Sequence, residues 1–166
     1  MLAVQSNTRR FSLPVSAWLP VVGILIGGAD LAVAAAYWGP HGVAPIRIPQ
    51  SIAAWVLGSD VARAGGWDTA LLGMALYFYL TSLMVELYHR LGFRHDVLLR
   101  RPYLCGALYG IAMYCLLFKL AIPLWTGVPV APEPASWTVT CLLAYSLLIG
   151  IPCALFTRIR QGLSVD

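Results

Sequence analysis

Four long apolar segments dominate the sequence, and the charged residues gather between them. The segments cover residues 15–38, 69–88, 103–125 and 136–157. Each can form a helix that crosses a bilayer, which takes about 20 apolar residues. The pattern therefore predicts an all-α membrane protein with four transmembrane helices. It predicts a single integral membrane domain over residues 1–166.

A shorter helical pattern lies between the first two of these segments. Ile48, Ile52, Trp55 and Val56 recur at helical spacing, and Gly58 follows the run. At about ten residues this helix is too short to span the membrane. We expect a short amphipathic or re-entrant helix that lies along the interface or dips back into the bundle.

Arginine is distributed unequally between the two sides of the predicted spans. The amino end, the loop 89–102 and the carboxyl tail together hold eight arginines, whereas the other side holds only Arg47 and Arg63. Short loops rich in Lys and Arg stay in the cytoplasm. Both termini are therefore predicted to be cytoplasmic, with the amphipathic helix on the outer side.

Small residues recur four positions apart in three of the spans. Residues at this spacing share one helix face, and small side chains let a neighbouring backbone approach closely. The pattern predicts that these faces make helix–helix contacts. The predicted packing positions are Gly23, Gly27, Gly28, Gly106, Gly110 and Gly150.

The composition excludes an ordinary soluble domain. Hydrophobic residues make up 60% of the chain and charged residues 11%, against about 25% charged in soluble domains. The net charge of +4 is spread over short loops without a basic face bearing stacking aromatics, so no nucleic-acid partner is predicted. The expected partners are the lipid bilayer and other integral membrane subunits.

The sequence contains no recognisable catalytic, cofactor or metal motif. The four cysteines form no Cys-x-x-Cys pair, and neither a Ser–His–Asp set nor His-Glu-x-x-His is present. His41, His89 and His95 fall outside the predicted spans, which argues against haem ligation inside the membrane. We therefore predict a protein that is not an enzyme and that binds no cofactor or metal.

Two charged residues lie deep inside apolar segments. Asp30 is eight residues before Trp38 and Lys119 is six before Trp125, depths of roughly 12 and 9 Å from the outer interface. A charge at the bilayer centre costs about 2.5–3.5 kcal/mol, so it needs a partner, a proton or water.

We predict a polar cluster of Asp30 and Lys119 in the outer half of the bundle, joined by Arg47 or Arg63. Such a cluster either stabilises the packing of the helices or forms part of a path for ions or protons. A Lys119 side chain that snorkels outward is the third alternative.

Several segments resemble a family of small four-helix bacterial inner-membrane proteins. The clearest are YWGPHGVAP at 37–45 and CGALYG at 105–110. Further matching positions are 50–53, 57–58, 66, 69–70, 72–73, 100–102 and 123–124. The resemblance extends from about the first span to the end of the third. It implies location in the bacterial inner (cytoplasmic) membrane, and the family has no assigned activity.

The resemblance also bears on single positions. An aspartate at the place of Asp30 fits the family pattern. The family tends to have a histidine in the second span, where this chain has residues 77–79 as Tyr-Phe-Tyr. It tends to have an asparagine late in the third span, where this chain has Phe118 and Lys119. The role of those two polar residues does not carry over to this chain.

These observations lead to ranked hypotheses about function. The first is a non-catalytic integral membrane protein that serves as an accessory or assembly subunit of a larger membrane complex. The alternative is a small carrier or channel whose outer-side polar cluster around Asp30 and Lys119 binds a lipid headgroup, an ion or a proton. A membrane enzyme that acts on lipid ranks last.

Overall fold

A computed structural model describes residues 15–126 and 133–161 of the chain. All regular elements in these two ranges are helical. Four helices are long and apolar enough to cross a membrane, and they match the four predicted spans in number and order. The helices are α1 (Val15–Trp38), α2 (Arg47–Leu57), α3 (Ser59–Ala64), α4 (Gly66–Arg94), α5 (Asp96–Arg100), α6 (Pro102–Thr126) and α7 (Ala135–Arg160).

The second long helix, α4, extends beyond the predicted span 69–88 at both ends. It has 29 residues and ends at Arg94, and Arg90 pairs with Glu86 one turn before that end. The apolar segment locates the hydrocarbon-spanning part of a helix, not its ends, so the prediction was too short. His89 consequently lies inside α4 and is 7% exposed, which corrects its expected place outside the helix.

Both carboxyl-side long helices change their hydrogen-bonding pattern just before a proline. A π-helical segment, Cys115–Ala121, precedes Pro123 in α6, and another, Tyr145–Gly150, precedes Pro152 in α7. Proline has no amide hydrogen and its ring crowds the preceding turn. The wider π turns accommodate this conflict within otherwise continuous helices.

Helix α1 packs against α4 through its first glycine pair. A Cβ atom at Gly23 would lie 2.7 Å from the amide nitrogen of Ser82, and one at Gly27 would lie 2.8 Å from Thr81 Oγ1. The Thr81 hydroxyl also donates a hydrogen bond of 2.7 Å to the Gly23 carbonyl oxygen. The same small face therefore allows close packing and an interhelical hydrogen bond.

Helix α6 packs against α7 through three glycines. A Cβ atom at Gly106 would lie 2.7 Å from the Gly150 carbonyl oxygen, and Cβ atoms at Gly110 and Gly150 would overlap the backbone of the facing helix. By contrast, nothing lies within 4 Å of a Cβ atom at Gly28. Five of the six glycines predicted to pack against a neighbouring helix thus do so within the bundle, and Gly28 does not.

The short helix α2 lies against the beginning of α4. The Pro49 carbonyl group occupies the space that a side chain at Gly73 would need. Gln50 is 3% exposed and donates a hydrogen bond of 2.8 Å to the Gly66 carbonyl oxygen. Backbone contact and a buried hydrogen bond therefore hold α2 at the end of the bundle where α1 ends and α4 begins. We call this the α2 end.

Candidate functional site

Asp30 lies half-buried in α1 and faces α4 and α7. The Tyr77 hydroxyl of α4 donates a hydrogen bond to Asp30 Oδ2. The Tyr145 hydroxyl of α7 is 3.4 Å from that of Tyr77. Both tyrosines are almost fully buried, at 2% and 1% exposure. Three spanning helices therefore contribute one polar side chain each to a connected row.

A cavity of about 90 Å³ lies beside this row. Five of the helices, α1, α2, α4, α6 and α7, contribute to its wall, and most of the wall is aliphatic or aromatic. Among the residues that the structure describes, Asp30 is the one acidic residue that lines it, and the lining contains no lysine, arginine or histidine. The aromatic lining residues are Trp55, Tyr77, Phe118, Trp137 and Tyr145.

Helix α2 supplies one whole side of the cavity. Ile48, Ser51, Ile52 and Trp55 line it at helical spacing. The Trp55 ring meets the Phe118 ring edge to face, with 6.1 Å between centroids. Ile48, Ile52 and Trp55 of the apolar face predicted for this short helix therefore line the cavity, whereas Val56 of that face is 60% exposed.

An aromatic cluster closes the seam between α1 and α7 at the α2 end. The Tyr37 and Ser136 hydroxyl oxygens are 2.6 Å apart, and the Trp38 and Trp137 rings are 5.3 Å apart. The His41 ring stacks on Tyr37 at 5.2 Å. We call Tyr37, Trp38, His41 and Trp137 the end cluster. Because Trp137 also lines the cavity, this cluster adjoins it.

The predicted pair of Asp30 and Lys119 is not formed. Lys119 Nζ lies 3.5 Å from Glu133 Oε2 instead, and 5.7 Å from the centre of the Tyr114 ring. Glu133 precedes α7, so the lysine joins the end of α6 to the start of the next helix. The sequence shows that both charges are near one interface, but not which helix faces they occupy.

The two arginines of the predicted cluster also have other contacts. Arg47 Nη1 donates hydrogen bonds of 3.1 Å to Gln50 Oε1 and 3.4 Å to the Arg63 carbonyl oxygen. The structure thus brings the Arg47 side chain to the backbone of Arg63. Within residues 15–126 and 133–161, no ion pair joins Asp30 to a basic side chain.

Neither Tyr77 nor Tyr145 was predicted to be a partner of Asp30. Tyr145 has no distinguishing signal, since tyrosine in an apolar helix is common core material. Tyr77 lies in the Tyr-Phe-Tyr run of residues 77–79, and nothing in that run singles it out from its neighbours. Only the structure shows that Tyr77 and Tyr145 lie next to Asp30.

The described part of the chain contains no group of three or more side chains that could hold a metal ion. Comparison with known proteins found no matching family model, no matching curated protein and no matching solved structure. Function must therefore be inferred from the site itself. Its features are one carboxylate, two buried tyrosine hydroxyls and a small aromatic-walled cavity inside a bundle of apolar helices.

Proposed function

We propose that this chain is a non-catalytic protein of the bacterial inner membrane that acts as a small carrier or channel for a positively charged solute. One observation supports the proposal most: Asp30 lines an intramembrane cavity and has no basic partner in the described ranges. A buried carboxylate needs a proton, a cation or water to offset its cost of about 2.5–3.5 kcal/mol. The cavity provides room for such an occupant.

The proposed orientation puts this cavity in the outer half of the membrane. Six arginines of the described residues lie at the opposite end of the bundle, which we therefore propose to be cytoplasmic. Helix α2 then lies along the outer interface with its apolar face over the cavity. A solute would approach Asp30 from the outer side, next to the end cluster.

Charge displacement in proteoliposomes tests this proposal. We would adsorb them on a solid-supported membrane and apply concentration jumps of protons, Na⁺, K⁺ or choline. At least one cation is expected to give a transient current, and Asp30→Asn is expected to abolish it. Asp68→Asn is the matched control, because Asp68 is exposed in the first turn of α4 at the same end.

The proposal fails if no cation produces a current with the wild-type protein. It also fails if Asp30→Asn and Asp68→Asn give the same current as the wild type. Size-exclusion chromatography and circular dichroism of each variant would show whether the helical bundle is retained, so that loss of current is not confused with loss of fold.

A second function, an accessory subunit of a larger membrane complex, is favoured by the outer face of α1. No atom lies within 4 Å of a Cβ atom at Gly28, and Ala32 and Ala36, one and two turns later, are exposed. This small-residue face is suited to close packing by another helix. The other five glycines are already in contact inside the bundle, so they do not support external docking.

Co-purification tests this second function. After mild detergent extraction from native membranes, the wild-type chain is expected to retain a partner that Ala32→Leu loses. Leu71→Ala, at an exposed apolar position on α4, should leave the partner bound. A wild-type chain that runs alone as a monomer contradicts the accessory-subunit function.

A further inference from the structure

The Asp30 cavity has room for more than one water. Its volume is about 90 Å³, several times the roughly 10–15 Å³ that a single water needs. The space therefore suits a small ion, a cluster of water, or the small head group of a larger molecule.

The charge of the lining selects against an anion. Asp30 is an acid, and no basic residue in the described part of the chain lines the cavity. Tyr77 donates to Asp30 Oδ2, whereas Oδ1 has no hydrogen-bonding partner in the ranges that the structure describes. One carboxylate oxygen thus remains available to a positively charged group.

The walls favour a cation that carries apolar groups over a bare metal ion. Hard metal cations bind to several oxygen ligands, but the faces around Asp30 are mainly carbon. The Ser51 and Thr140 hydroxyls donate to backbone carbonyl groups of their own helices, at 2.6 and 2.8 Å. Aromatic rings attract a cation electrostatically, and methyl groups gain from leaving water for apolar walls.

We infer that the cavity binds a quaternary ammonium group, with Asp30 as its counter-ion and the rings of Trp55, Phe118 and Trp137 as walls. A nitrogen with three methyl groups has few heavy atoms and presents both charge and apolar surface. The inference rests on the proposed function, and it specifies the chemical class of the positively charged solute. The same chemistry occurs in free choline and in a phosphatidylcholine headgroup.

Calorimetric titration of the protein in nanodiscs made of phosphatidylglycerol tests this inference, since that lipid carries no choline group. Choline is the probe, and 3,3-dimethyl-1-butanol is its neutral analogue of the same shape. We expect choline to bind at least tenfold more tightly than the alcohol. Asp30→Asn should weaken choline binding at least tenfold.

The aromatic wall is tested separately from the carboxylate. Trp55→Leu is expected to weaken choline binding severalfold, because it removes a ring face from the cavity. Trp67→Leu is its matched control, because Trp67 is 70% exposed and does not line the cavity. This pair remains informative if Asp30→Asn does not fold.

Equal binding of choline and the neutral alcohol would overturn the inference, because the site would then recognise only shape and apolar surface. Currents with protons or K⁺, without choline binding, would overturn it while leaving the proposed function standing. No current and no binding with any cation would refute both. Replacing phosphatidylglycerol by phosphatidylcholine separates the two supporting cases: weaker choline binding identifies a lipid headgroup as the occupant, and unchanged binding identifies the free solute.

Discussion

At the scale of single residues, Tyr77 determines how Asp30 is tolerated inside an apolar helix. A hydrogen bond from a neutral, buried hydroxyl group replaces the ion pair that the sequence suggested. An ion pair would have neutralised the cavity, whereas a hydrogen bond leaves its lining acidic. An ion pair would make Asp30 part of a structural cluster. The hydrogen bond from Tyr77 instead leaves a carboxylate that can attract a cation.

The hydrogen bond to Asp30 leads to the first prediction. Tyr77→Phe removes the donor and leaves the acceptor in the bundle, so the free energy of unfolding should fall by about 1–3 kcal/mol. Tyr79→Phe, two residues away, should change it little, because the Tyr79 side chain is 65% exposed. Unfolding in mixed micelles with increasing dodecyl sulfate, followed by circular dichroism, measures both. Equal losses for the two variants would contradict the importance of this bond.

At the scale of elements, the close contact of α6 with α7 positions two walls of the cavity. Gly110 lies against the Tyr145 carbonyl group, and Tyr145 itself lines the cavity. The π-helical segment that begins at Tyr145 adjoins the same contact. Any separation of these helices should therefore alter the cavity as well as the stability of the bundle.

This contact leads to the second prediction. Gly110→Ala places a Cβ atom into facing backbone, which cannot move as a side-chain end can, and should destabilise the bundle by about 1–3 kcal/mol. Gly28→Ala should cause no loss, because nothing lies within 4 Å of the added atom. The same detergent titration compares the two variants. A harmless Gly110→Ala would show that the two helices are farther apart than described.

At the scale of the whole molecule, the distribution of arginine defines two ends that differ in charge. In the part of the chain that the structure describes, six arginines lie at the end that we propose to be cytoplasmic, and the α2 end has only Arg47 and Arg63. The cavity, the end cluster and α2 all belong to this arginine-poor end. Solute access from the outer side depends on this arrangement.

Labelling in intact cells tests this orientation and is the third prediction. In a background without the native cysteines Cys105, Cys115, Cys141 and Cys153, Ala44→Cys is expected to react with a membrane-impermeant maleimide. His95→Cys, exposed at the opposite end of the bundle, should react only after permeabilisation. The reverse pattern would place the cavity on the cytoplasmic side and invalidate the proposed route of access.

The sequence by itself determined the features that depend on transfer between water and lipid. Apolar length is enough to predict four helices, because a backbone in lipid must satisfy its hydrogen bonds within the helix. The sequence also identified Asp30 as a residue whose charge is costly inside a bilayer, and it identified the short helix α2 as a separate element. The carboxyl end of α4 was predicted too early, because polar residues outside the apolar segment can still continue a helix.

Only the tertiary structure decided which side chains meet. Depth along a helix places Asp30 and Lys119 near the same interface, but the rotation of each helix about its axis decides what they face. That rotation depends on contacts between helices, such as Gly23 with Ser82 and Gly110 with Tyr145. It directs Asp30 to Tyr77 and a cavity, and Lys119 to Glu133. The hydropathy of the sequence does not specify these rotations.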